Sequence, residues 1–356
     1  MMSVWLAQVA AVIRLEMKKT FLSKRGLWVY LLALAPVAIW GLHSAIEMQG
    51  AEERRVLNAA HPVSTEVLES IQRGMSLEEV EEKAGAPHTK FNVNQRGRGR
   101  RMDVNQYTDG RDLFTFTFFN GNLAQVQRRT RDTVAEDNLI FAGVFQFFFL
   151  RLAVFFGCVG VFTNLFRGEL LDKSLHYYLL APLRREVLML GKYIAGLTAT
   201  TVIFTTSAAL QMWVLSLHFD KAEYASYMDG PGWGNTFAYL GVTVAACLGY
   251  GSVFLAAGLL FKNPILPAAL VEAWESANLF LPAVLKKISI IFYLQSLCPV
   301  VATPDADMPK ILKLLINAAE PASAPVAILG LLAVTAGVLV IAGRQARRLE
   351  INYSTD

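Results

Sequence analysis

Two carboxylates, Glu272 and Glu275, stand one helical turn apart within the apolar stretch 265–285. If that stretch is helical they share a face. Carboxylates at lipid depth are costly, so such a pair either lines a cavity or ion path, lies near the interface, or pairs with a cation. Arg151 and Lys192, each in or beside an apolar run, are the cations at hand. Arg151, Glu272 and Glu275 are therefore candidate cavity-lining residues. His43 and His218 fall near the ends of apolar runs and are expected at headgroup level. Other chemistry is missing. No His-Glu-x-x-His zinc spacing occurs, and no G-x-x-x-x-G-K-[ST] loop that would cradle nucleotide phosphates. Cys158, Cys247 and Cys298 are far apart in sequence, without metal-ligand spacing, and are expected to act as small apolar packing residues. No catalytic residue, metal ligand or cofactor is expected in this chain, and no nucleic-acid partner.

The elements that carry these residues are hydrophobic helices. Of 356 residues, 54% are hydrophobic and 17% charged, and 22 are Phe, against about a quarter charged in an ordinary soluble domain. Apolar runs of about 20 residues, enough to cross roughly 30 Å of hydrocarbon, predict six transmembrane helices: 26–46, 139–165, 187–217, 233–261, 265–285 and 325–343. Residues 1–25, with Trp5, Val9, Val12, Ile13 and Phe21 set against Arg14, Lys18, Lys19, Lys24 and Arg25, suit an interfacial amphipathic helix on an anionic leaflet. The basic loop Arg167–Arg185, Lys262 and the tail 344–356 with Arg344, Arg347 and Arg348 all fall on one side, which the positive-inside rule makes cytoplasmic. Both termini are then cytoplasmic. Residues 286–324 are broken and mixed, and suit a re-entrant or interfacial segment.

Residues 47–138 are polar and form an expected extracytoplasmic domain between the first two spans. Within them Ser76 and Glu79 make a capping box, Leu77, Val80 and Ala84 an apolar stripe, and Gly85 with Pro87 a stop. Alternating Phe114, Phe116 and Phe118, then Asn120-Gly121 and a return over Leu123–Gln127, predict a hairpin after a Gly/Arg-rich linker, Gln95–Arg101. GMSLEEVEEKAGAP and FFNGNLAQV, in that order, resemble the BamE-like (SmpA/OmlA) lipoprotein domain. The resemblance covers about 60 residues and lacks the lipidated cysteine of that family. It implies a small α+β module that binds a periplasmic protein or has a structural role.

The loop 166–186 and its exit read FRGELLDKSLHYYLLAPLRREVLMLGKYIAG. Leu170, Leu171, Leu175, Tyr178 and Leu179 recur at helical spacing, and Pro182 ends the run. Arg184, Arg185 and Lys192 are placed to snorkel at the inner interface. The stretch resembles the loop between the second and third spans of type-2 ABC exporter permeases. Matching residues are Arg167, Glu169, Leu179, Leu180, Pro182, Arg184, Arg185, Leu190, Gly191, Lys192 and Tyr193. This chain departs from many members by Lys173-Ser174 in place of Gly-Thr, and by its large insert. The resemblance implies a coupling helix seated in a separate ATPase, with Arg167, Glu169, Leu170, Lys173, Ser174, Leu179, Pro182, Arg184, Arg185, Gly191 and Lys192 as ATPase-coupling residues.

The expected class is thus an α-helical polytopic membrane protein with a small α+β extracytoplasmic domain. The expected function is the permease of an ABC exporter in a bacterial inner membrane. Its partners would be the bilayer, a second permease copy and a separate P-loop ATPase that holds ATP and Mg. The alternative is a non-transporting scaffold or sensor acting through the external domain. An ion-coupled carrier would carry internal repeats, and none is visible.

Overall fold

A computed structural model describes residues 2–22, 26–94, 101–130, 133–171, 184–300 and 321–347. The chain is mostly helical and divides into two compact units. One comprises Met1–Gly41, Ala135–Ser216 and Asp220–Asp356; the other comprises Leu42–Val134 with Leu217–Phe219.

Five helical stretches are long and apolar enough to cross a membrane: Leu27–Ala60, Val134–Glu169, Arg185–Ser216, Lys221–Leu260 and Ala324–Arg347. The expected fifth span, 265–285, is different. Its helix runs Ile265–Ala277, 13 residues, or about 20 Å at roughly 1.5 Å per residue. A 3₁₀ turn at Asn278–Phe280 follows. The backbone is then extended at Leu281 and at Pro282, whose missing N–H cannot continue a helix. Hydropathy registered the apolar content and overlooked the break.

In the first unit, α1 is Met2–Leu22, α2 is Leu27–Ala60 (its first half only) and α7 is Arg185–Ser216. The stretch 134–171 is α5 (Val134–Val144), a π-helical segment (Phe145–Val154) and α6 (Phe155–Leu171). The connection between α7 and the next long helix carries Asp220, Glu223 and Asp229 and is itself helical, α8 (Lys221–Tyr227). It leads through Pro231 into α9 (Trp233–Leu260). Helices α10 (Ile265–Ala277), α11 (Ala283–Lys286), α12 (Ile290–Leu297) and α13 (Ala324–Arg347) complete the unit.

Its core is aromatic. Phe145 meets Tyr239 at 4.7 Å between centroids, and Phe155 meets Phe254 at 4.9 Å, both near edge-on, as ring quadrupoles favour. The Phe162 ring fits against Gly251, where an added Cβ would run into it. Small residues of this kind let membrane helices approach closely where lipid supplies no hydrophobic drive. Cys158 of α6 and Cys247 of α9, far apart in sequence, are buried within hydrogen-bonding reach of each other. The sequence offered no sign of this.

In the second unit, α3 (Thr65–Glu69) and α4 (Leu77–Ala84) lie in sequence before an antiparallel sheet. The sheet, in order β1-β2-β3-β4, is built from Thr89–Asn94, Arg101–Thr108, Leu113–Phe119 and Asn122–Arg129. Leu68, Val80, Ala84, Tyr107, Phe114, Phe116, Phe118 and Leu123 form its core. The capping box is as expected: Glu79 N donates to Ser76 Oγ at 3.2 Å, and Ser76 N to Glu79 Oε2 at 2.8 Å. Asn120 and Gly121 both take positive φ, 51° and 83°, the requirement of a two-residue type I′ hairpin. Two further strands, β1 and β2, flank the expected linker Gln95–Arg101, of which residues 95–100 lie outside the described ones.

The β2–β3 corner is held by Asp109. Its Oδ1 accepts from the amides of Arg111 and Asp112 at 2.8 and 2.7 Å, and its Oδ2 accepts from Thr65 Oγ1 at 2.7 Å. Burial alone would raise the carboxyl; hydrogen bonds from Asp112, Thr65 and Arg111 outweigh it and hold the group below its ordinary value.

Candidate functional site

The residues singled out around the basic loop are described in part. Lys173, Ser174, Leu179 and Pro182 lie outside the described residues. So does most of the expected coupling helix, and only the backbone of Leu170 is described. Both flanks are described. Arg167 and Glu169 stand in the last turns of α6; Arg184 directly precedes α7, whose first eight residues include Arg185, Gly191 and Lys192.

These flanks converge on α1. Lys192 is fully buried. Its ammonium donates to Glu16 Oε1 at 2.7 Å and to the Leu165 carbonyl at 2.9 Å, and is ion-paired with Glu169 Oε2 at 2.8 Å. Lys19, on the next turn of α1 from Glu16, donates to the other oxygen of Glu169 at 3.0 Å. Two ammoniums and two carboxylates thus alternate. The Phe166 ring lies 5.4 Å from the Lys192 ammonium and closes one side. The expectation that Lys192 snorkels to the interface is corrected: two hydrogen bonds and an ion pair hold its ammonium inside the protein.

Gly191 lets this happen. A Cβ there would lie 2.8 Å from Val12 Cγ1 and 2.9 Å from Val12 Cβ, so only glycine admits α1 this close to α7. About two turns away, the Arg184 guanidinium lies 4.8 Å from the Trp5 ring centroid of α1. Arg185 Nη1 donates to the Arg347 carbonyl at 2.9 Å, while Arg347 pairs with Glu186. The basic pair after Pro182 therefore binds two different helices of its own unit, α1 and α13.

The second group, Arg151 with Glu272 and Glu275, comes together in the same unit but not as a carboxylate pair. The Glu275 carboxylate is buried and fully engaged. It accepts from the amides of Ile290 and Ile291 at 3.0 and 2.7 Å, from Ser289 Oγ at 3.0 Å and from Tyr250 Oη at 3.4 Å. It caps α12 from another helix, satisfying N-terminal N–H groups that α12's own Ser289 leaves open. Arg151 Nη1 meets the Glu275 backbone carbonyl at 3.3 Å rather than its carboxylate. Glu272, half-buried, accepts from Ser276 Oγ at 3.0 Å.

In the second unit, His43 and His218 meet edge-on at 5.3 Å, and Ser44 Oγ lies 3.3 Å from His218 Nδ1. Burial of His218 sets it apart from the headgroup-level residue expected.

Sequence reasoning missed Glu16. It stands among Arg14, Lys18 and Lys19 in a helix read for its cations, and its partner is 176 residues away. An acid on the apolar side of that helix, three residues before Lys19, was the available clue. No protein-family model, curated protein or solved structure matches the chain.

Proposed function

We propose that this chain is the permease subunit of a type-2 ABC exporter in a bacterial inner membrane. The observation that carries it is the Glu16–Lys192–Glu169 junction. A basic loop that transmits force from a closing ATPase must be anchored rigidly where it enters and leaves the bilayer. Glu169 enters that loop, Lys192 follows it, and both are locked to one N-terminal helix. Such an arrangement makes loop and helix move as one lever. Five membrane-length apolar helices and the resemblance of residues 166–196 to exporter coupling loops support the same reading.

ATP and Mg would be held by a separate P-loop subunit, since the sequence has no phosphate loop. A second permease copy would complete the pathway. The polar unit would lie outside, as a BamE-like α+β module that binds a periplasmic protein, with both termini inside.

Co-purification from the native membrane, followed by ATPase assay of the reconstituted complex, tests this. A P-loop ATPase should copurify, and changing Leu179 or Arg184 should lower coupled transport at least tenfold while leaving the ATPase subunit's own hydrolysis in place. Absence of any ATPase from the purified complex, or full transport by both variants, overturns it. The compact sheet unit supports the second reading, a membrane-anchored scaffold, for which external-domain changes alone would abolish function.

A further inference from the structure

His43 and Ser44 of α2 and His218 of the segment Leu217–Phe219 form a polar cluster within the second unit. The two imidazoles meet edge-on, with 5.3 Å between centroids. His218 and Ser44 are buried, while His43 is only partly so. Packing alone needs no second imidazole here, since a Phe would supply the same ring without polar atoms to desolvate. Two imidazoles bring two nitrogen lone pairs. A ring nitrogen of His43 lies within 4.8 Å of one of His218. A tetrahedral ion bound to both would hold them roughly 3.4 Å apart, at about 2.0–2.1 Å from each. Small rotations about χ2, which is broad for histidine, close the difference.

Ser44 supplies an independent observation. Its Oγ lies 3.3 Å from His218 Nδ1. A proton on Nδ1, donated to that hydroxyl oxygen, puts the lone pair of the ring on Nε2. Metal-bound imidazoles are oriented in this way, with the second nitrogen held by a hydrogen bond. Phe219 lies against the same ring, 4.1 Å between centroids, and restricts its tilt. The partly exposed His43 ring gives a small ion its approach.

We infer that His43 and His218 bind a divalent transition-metal ion of the zinc class, joining α2 to Leu217–Phe219. Imidazole nitrogen selects such ions over magnesium and calcium, which prefer oxygen. The two rings fill two of zinc's four usual positions and leave two for oxygen ligands. The ion would fix Leu217–Phe219 on the second half of α2 and so tie together two distant parts of the chain within the polar unit. This site needs no ATPase, so it stands or falls apart from transport.

The test uses the full chain without a histidine tag, purified in an uncharged maltoside detergent, stripped with EDTA and titrated calorimetrically with zinc, with magnesium as the control. Saturable zinc binding is expected, and no response to magnesium. Ser44→Ala should weaken zinc binding about tenfold, through lost orientation of His218. His43→Gln and His218→Gln, which each remove a ligand, should weaken it further. His61→Gln should bind as the wild type does. That variant separates the site from the other histidine pair, His61 and His88, whose rings lie 5.9 Å apart. Copper(II) in place of zinc should show coupling to two imidazoles by electron paramagnetic resonance, and to one in either ligand variant. If His218→Gln yields no monodisperse protein, His43→Gln decides, because its ring is the more exposed. Absence of zinc binding, wild-type affinity in His43→Gln, or loss of binding in His61→Gln overturns the site.

Discussion

The Lys192 ammonium donates to the Glu16 carboxylate at 2.7 Å, joining the N-terminal helix to the helix that follows the basic loop. Removing one partner of a buried ion pair leaves the other uncompensated, at about 3–5 kcal/mol. Lys192→Met leaves both Glu16 and Glu169 without their shared cation. It should lower the unfolding midpoint of the detergent-solubilised protein clearly. The triple change Lys192→Met, Glu16→Gln, Glu169→Gln should recover much of the loss, because no buried charge is left bare; the Lys19 side chain is half-exposed and is hydrated instead. A triple variant whose loss equals the sum of the three single losses would show the charges to be independent.

The close approach at Gly191 predicts a compensating pair. Gly191→Ala sets a methyl 2.8 Å from Val12 Cγ1, and overpacking of this kind costs about 1–3 kcal/mol. Val12→Gly removes both obstructing atoms, Cγ1 and Cβ. The double variant should therefore lose less in thermal denaturation than the sum of the two single variants. An additive double variant would mean that α1 does not seat on α7 through this contact.

What could be seen in the sequence was local. The capping box at Ser76 and Glu79 and the Asn120-Gly121 turn rest on residues within three positions of each other, and both stand as expected. Strand β2 was invisible because its buried positions include Asp103 and Asn105; the apolar alternation that marks a strand is absent. The stretch 265–285 looked like a span because hydropathy sums composition, whereas the helix ends where Asn278–Phe280 tightens and Pro282 extends the chain. At the site, Glu169 and Lys192 drew notice through motif spacing. Their meeting with Glu16 is tertiary, and no local pattern encodes it.

Ser76→Ala tests the second unit. It deletes the acceptor for Glu79 N and should cost about 1 kcal/mol of local stability. Hydrogen exchange on the full chain should quicken about fivefold for amides 79–84, with the membrane helices unaffected. Uniform acceleration through the whole chain would show that the two units unfold as one.

Asp109 predicts an acid response of that unit. Its carboxyl is held below its ordinary value in the folded state, so the folded state binds its proton later than the unfolded chain does. The resulting stability is fully present above the unfolded value of about 3.9 and is lost as pH falls through the lower folded value. Brief pepsin digestion of the full chain, from pH 4 downward, should show cleavage in 101–113 rising with acid. In Asp109→Asn that cleavage should be higher at pH 4 and less dependent on pH.

Glu275 separates a cap from an ion path. Its carboxylate holds the amides of Ile290 and Ile291 and the hydroxyl of Ser289. Charge-assisted bonds of this sort are worth about 1.5–3 kcal/mol each when removed. Glu275→Ala should therefore destabilise the first turn of Ile290–Leu297, read as faster exchange at amides 290–294. Glu275→Gln keeps one acceptor oxygen and should give an intermediate result. An ion-carrying acid behaves otherwise, since Gln would then abolish function as fully as Ala while helix protection stayed at the wild-type level. Four contacts from two helices, all to one carboxylate, favour the graded outcome.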